Sequence, residues 1–215
     1  MEMLEDSLTP PEEAPFKTGV SAMYPSDADP KRLFFEGASM THWVTYDRGS
    51  SFIKRNIEKP LTGIKMHKTN ADLMLASHMS QGCYMPASRG ISECSTSLQV
   101  SYDYGHSFVQ AVRSVAQYDW GPGENTVIYS AYDDLEVSAV QRMGKGLGVY
   151  RSSDAFRKSS NTYLVVEKGA GFKVSKSGIY VATYEAGGTM QLHVSRDDGR
   201  SFLPAVFPSK LQETR

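Results

Sequence analysis

The stretch Thr45-Tyr46-Asp47-Arg48-Gly49-Ser50-Ser51-Phe52 carries the pattern that decides the fold: Ser or Thr, any residue, Asp, any, Gly, any, any, Phe. It recurs intact as Ser101, Asp103, Gly105 and Phe108 in SYDYGHSF, and as Ser195, Asp197, Gly199 and Phe202 in SRDDGRSF. A degenerate copy, SSDAFRKS, keeps Ser152 and Asp154 but has Phe156 at the glycine position. The four aspartates stand 56, 51 and 43 positions apart, a period of roughly 40 to 50 residues with loop insertions, which is that of propeller blades.

Each copy follows a strand of alternating character, such as HWVTY, SLQVSY, LGVYRS or QLHVS, and precedes another, such as SFIKRNI or SFVQAVR. The pattern therefore belongs on a tight hairpin. The glycine supplies a positive φ without steric penalty, and the Ser, Thr and Asp oxygens accept hydrogen bonds from the turn's own N–H groups. The Phe ring is expected to fold into the core of the sheet. These Asp-box aspartates are thus read as structural, with no catalytic or metal role.

Working outward from the hairpins predicts an all-β chain of about four four-stranded blades, over residues 16–58, 61–113, 114–167 and 169–208. One blade cannot bury both of its faces, so stability comes from stacking blades side by side. The sequence shows no strand that returns to complete the first sheet, so it reads as a piece of a larger propeller. The first fifteen residues, with Pro10, Pro11 and Pro15 among five acidic side chains, bury little and are expected to be disordered.

Composition narrows the function classes. The formal net charge is -1 with 22% charged residues, which lacks the basic footprint of a nucleic-acid binder. No run approaches the roughly 18 apolar residues of a membrane helix, and the acidic start is unlike a signal peptide. His42, His67, His78, His106 and His193 form no HExxH motif or close pair and read as solvated or core residues. Gly144, Gly146 and Gly148 in RMGKGLGVY lack the strand, helix and spacing of a dinucleotide fingerprint. They belong to a long connection over residues 135–148. No cofactor and no metal site are expected.

Beyond the repeat itself, VAQYDWGPGENTVIYSAYDD, GVYRSSDAFRKS and LHVSRDDGRSFLPAVFPSKL resemble successive blades of the sortilin and vacuolar-sorting receptor family. HWVTYDRGSSF and IKMHKTNADLMLAS resemble repeats of the same family, and the likeness covers residues 19–211. The resemblance implies a ten-bladed, non-catalytic propeller in the lumen of the Golgi, endosomal or vacuolar pathway, whose partners are protein or peptide cargo. In full-length relatives a cysteine-rich module, one membrane helix and a cytosolic tail follow. The family's peptide pocket falls on blades after Arg215, so the resemblance assigns no ligand residue here.

A luminal location also bears on Cys83 and Cys94, which flank the loop between the second and third strands of the second blade. Their place on the arms of one hairpin is compatible with a disulfide, which the resemblance to luminal proteins favours over two free thiols. They lack the companion ligands of a zinc site. The runner-up function is a sialidase-like glycoside hydrolase, since Asp-box propellers include such enzymes. Adjacent carboxylates at Asp133 and Asp134, or at Asp197 and Asp198, point to opposite faces of a strand and do not aim at one bond. A sialidase would also need an arginine cluster and a tyrosine nucleophile, and its Arg-Ile-Pro entry motif is missing. The third reading is a non-receptor propeller scaffold.

Overall fold

The computed structural model describes residues 19–37, 40–80, 95–132, 147–184 and 190–206. The acidic start and the Cys83–Cys94 loop lie outside these. Among the described residues there are fifteen strands, all paired antiparallel, one 3-10 turn at Ser159–Asn161, and no α-helix. They divide into two units, Met1–Ser114 and Val115–Arg215.

The first unit holds two four-stranded meanders. One consists of β1 (Val20–Pro25), β2 (Leu33–Gly37), β3 (Thr41–Thr45) and β4 (Ile53–Asn56), and the other of β5 (Thr62–Met66), β6 (Met74–Met79), β7 (Thr96–Ser101) and β8 (Val109–Val112), each in sequence order. Successive side chains on a strand point to opposite faces. Phe34 and Val44, which are cross-strand partners, therefore face one way and join Leu61, Ile64, Met74, Ala76 and Tyr104 in one cluster. Phe35 and Trp43 face the other way and pack with Val20, Leu33 and Phe52. Because both faces of β2 and β3 are covered, the alternation expected of HWVTY gives way to adjacent apolar residues, Phe34 with Phe35 and Trp43 with Val44, one for each face. Each fully buried ring such as Phe34 contributes roughly 2 to 3 kcal/mol by area.

The second unit is one seven-stranded sheet of β9 (Val115–Trp120), β10 (Val127–Ala131), β11 (Leu147–Ser152), β12 (Thr162–Ser175), β13 (Gly178–Tyr184), β14 (Met190–Ser195) and β15 (Leu203–Pro204). The sequence placed TYLVV and GFKVS on two strands of two sheets; the structure runs them together in β12. Its first half pairs with β11 and its second half with β13, and Gly169 is partnered by Leu147 on one side and Thr183 on the other. Register shifts flank that glycine, which is where a strand lacking a side chain bends most easily.

The two halves of this sheet share one core of Ile128, Val149, Phe172, Ile179 and Val181. They are also tied by Gln117 of β9. Its carboxamide donates to the Phe172 carbonyl at 2.6 Å and accepts the Phe172 N–H at 3.1 Å, replacing a missing strand neighbour with one side chain.

Candidate functional site

The aspartate turns join β3 to β4, β7 to β8, β11 to β12 and β14 to β15. In each, two consecutive residues take a left-handed backbone: Arg48 and Gly49, Tyr104 and Gly105, Ala155 and Phe156, Asp198 and Gly199, with φ between 53° and 89°. A Cβ added at Gly105 would come within 2.7 Å of the Phe34 ring, so that turn needs glycine for space as well as for φ. Phe156 adopts φ 65° at the equivalent place, where its ring packs 5.5 Å from that of Tyr129.

The hydrogen bonds repeat in the three intact copies. The Thr45, Ser101 and Ser195 hydroxyls donate to Asp Oδ1 at 2.7 to 2.8 Å and accept the glycine N–H at 2.8 to 2.9 Å. The residue just before the Phe supplies two more bonds. Ser51, Ser107 and Ser201 donate their N–H to Oδ1 at 2.9 Å and their hydroxyl to Oδ2 at 2.6 to 2.7 Å. This serine was missed by the eight-residue pattern, although Gly-x-Ser-Phe stands in all three intact copies. In the degenerate copy the Lys158 N–H and the Asn161 carboxamide take its place on Asp154.

Such donors stabilise the carboxylate form. Ser51 and Thr45 hold the Asp47 carboxyl down at about 2, and Ser201 and Ser195 hold Asp197 well below the ordinary carboxylate range. At Asp103 partial burial pushes upward, but the bonds from Ser107 and Ser101 prevail and the net shift is downward. Phe52 meets Phe35 edge-on at 5.5 Å; Phe108 and Phe202 pack against the clusters of their own units.

Two arginines that the sequence pattern does not mark, Arg32 in the turn between β1 and β2 and Arg151 on β11, reach turns of other hairpins. Arg32 pairs with Asp72 at 2.6 Å and lies 5.3 Å from the ring centres of both Tyr46 and Tyr104. Arg151, a buried residue, donates from Nη2 to Asp198 Oδ2 at 2.7 Å, from Nε to the Asp198 carbonyl at 2.6 Å and from Nη1 to the Tyr163 hydroxyl at 2.8 Å. Asp198 is thus drawn into this network while Asp197 serves its own turn.

His42 and His67 are both buried. The His42 Nδ1 accepts the Gly37 N–H at 3.3 Å, and burial lowers its pKa to about 4. His67 Nδ1 accepts the Thr69 and Asn70 N–H groups, acting as a turn cap. Asp133, Asp134, Gly144 and Gly146 lie outside the described residues. Among the described residues no three His, Cys, Asp or Glu side chains are grouped to hold a metal, and no helix is long and apolar enough to cross a membrane. A cleft of about 330 Å³ opens between β4 and β8, lined by Asn56, Gln99, Gln110, Phe108 and the oppositely charged Glu58 and Lys59.

The all-β meanders match propeller proteins of known structure. An uncharacterized protein of Listeria monocytogenes EGD-e superposes with a TM-score of 0.57 at 14% identity, over 86% of this chain and 51% of that one. The acylaminoacyl peptidase of Pyrococcus horikoshii does so at 0.54 and 16% identity, over 86% of this chain and 31% of that one. This chain thus spans about half of the first structure and a third of the second. At such identities the likeness is one of fold alone. No curated protein matches the chain in sequence. The family model for sortilin, also described as neurotensin receptor 3, matches residues 7–215, and the chain belongs to that sortilin-Vps10 family.

Proposed function

We propose that this chain forms four Asp-box blades, over residues 16–58, 61–113, 114–167 and 169–208, the last two sharing the continuous strand β12, of a non-catalytic propeller that binds protein or peptide cargo. In the intact receptor it would lie in the lumen of the Golgi, endosomal or vacuolar pathway, sorting hydrolases or propeptides. Family membership across residues 7–215 supports the class. The observation that carries the non-catalytic reading is the saturation of the repeated carboxylates. Asp47, Asp103, Asp154 and Asp197 each engage both oxygens within their own turn. A general acid or base needs a pKa near the working pH, whereas Asp47, Asp103 and Asp197 are all shifted downward.

The reading is tested in cells of the source organism by deleting the gene and assaying luminal hydrolases in the medium. Sorting receptors retain their cargo, so the expected result is secretion of at least one hydrolase, reversed by the restored gene. Unchanged retention, together with a new glycoside-cleavage defect in the deletant, would establish the hydrolase reading instead.

A further inference from the structure

We infer that the fourth residue of an aspartate turn is a specificity determinant that selects which neighbouring strands the turn packs against. The four turns share their backbone, and the three intact ones share their Ser or Thr, Asp and Ser bonds, so those features cannot tell one neighbour from another. The fourth residues differ: Arg48, Tyr104, Ala155 and Asp198, each with φ between 53° and 62°. In that conformation the side chain leaves the turn rather than joining its hydrogen bonds.

In the second unit Asp198 reaches the hairpin between β9 and β10. Its Oδ1 accepts the Gly123 N–H at 2.8 Å, and its Oδ2 accepts the Thr126 hydroxyl at 2.6 Å and Arg151 Nη2 at 2.7 Å. Both glycines of the GPGENT segment are explained by this seat. A Cβ on Gly123 would collide with the Asp198 carboxylate, and one on Gly121 would lie 2.6 Å from Thr126 Cγ2. In the first unit Tyr104 has the equivalent place, yet its ring is buried in the cluster of Phe34, Val44 and Met74 and faces Arg32.

The two solutions are not interchangeable. An aspartate at 104 would put a carboxylate into an apolar cluster, which is costly unless paired. A tyrosine at 198 would leave Arg151 and the Gly123 N–H short of an acceptor in a seat built without side chains at 121 and 123. Each of these two fourth residues meets an arginine, Arg32 from the turn between β1 and β2 or Arg151 of β11: Tyr104 offers a π face to an Arg32 already paired with Asp72 and Tyr46, and Asp198 offers Arg151 a carboxylate and a carbonyl.

The test is site-resolved amide exchange on the full chain. Asp198→Ala and Arg151→Ala should each speed exchange of the Gly123 N–H at least tenfold, and the double variant should exchange no faster than the faster single, as coupled partners do. Asp198→Asn keeps one acceptor oxygen, so it should retain protection at Gly123 while losing dependence on Arg151; it also serves should the alanine variants not fold. Tyr104→Phe removes a buried hydroxyl that has no hydrogen-bond partner and should exchange like the wild type, whereas Tyr104→Asp should lose protection in β5 to β8. Independent, multiplying effects of Arg151→Ala and Asp198→Ala, or wild-type exchange in Asp198→Tyr and Tyr104→Asp, would overturn the inference.

Discussion

A single carboxylate shows how the repeat is held. Asp103 collects the Ser101 hydroxyl, the Ser107 hydroxyl and the Ser107 N–H at 2.7 to 2.9 Å, so Asp103→Ala should lower stability by about 1 to 3 kcal/mol. Ser107→Ala removes one of these bonds and should cost about 1 kcal/mol. Urea unfolding checks both; an Asp103→Ala variant of unchanged midpoint would remove the structural role. Acidity adds a second residue-scale prediction. The folded pKa of His42, about 4, lies below its ordinary value of 6.5, so folding favours the neutral ring. Its contribution is complete above pH 6.5 and is lost as pH falls towards 4, amounting to about 3 kcal/mol. Asp47, held at about 2 against an ordinary 3.8, contributes above pH 3.8 and loses that contribution on falling towards 2. The urea midpoint should therefore decline from pH 7 to 4 and decline further below it, with a flatter first slope in His42→Asn. Equal slopes would rule out His42 as the cause. The Ser or Thr and Asp of each turn, and the Gly of the three intact copies, are legible because local backbone chemistry favours those types. The partner serine stands next to the Phe in Gly-x-Ser-Phe in all three intact copies and is equally legible there. Arg32 and Arg151 are not, because their partners stand 40 and 47 positions away and no local pattern marks them.

At the scale of elements, the strand sequences announced themselves by β-branched and aromatic runs between turn residues, and the meander order followed from hairpin lengths. What periodicity could not supply was β12. Gly169 and Gly171 look like a break between TYLVV and GFKVS, and glycine in a loop and glycine at a bend in a strand carry the same sequence signal. The deciding term is tertiary: Leu147 and Thr183 flank Gly169 from two sides. Between β6 and β7, the bridge proposed for Cys83 and Cys94 makes an element-scale prediction. Protein made in an oxidising compartment and digested without reductant should yield the two cysteine peptides linked, by mass spectrometry. Two alkylated thiols would exclude it. A closed loop of this size would add about 3 kcal/mol in the chain-entropy model.

For the whole molecule, each unit has its own apolar cluster, and the repeated aspartates bond within their own turns. The family could be read from the sequence because several segments beyond the turns carried it; the contacts with cargo could not, since binding surfaces are built by residues far apart in the chain. The most direct measurement of the central claim is calorimetric titration of the intact luminal propeller that contains these blades, produced in an oxidising compartment, with propeptides of luminal hydrolases, followed by mass spectrometry of the recovered ligand. A non-catalytic cargo-binding domain predicts saturable binding of at least one propeptide, recovered intact. Absence of binding to all of them, or turnover of a glycoside substrate that is abolished by Asp→Asn substitution in a turn, would contradict it.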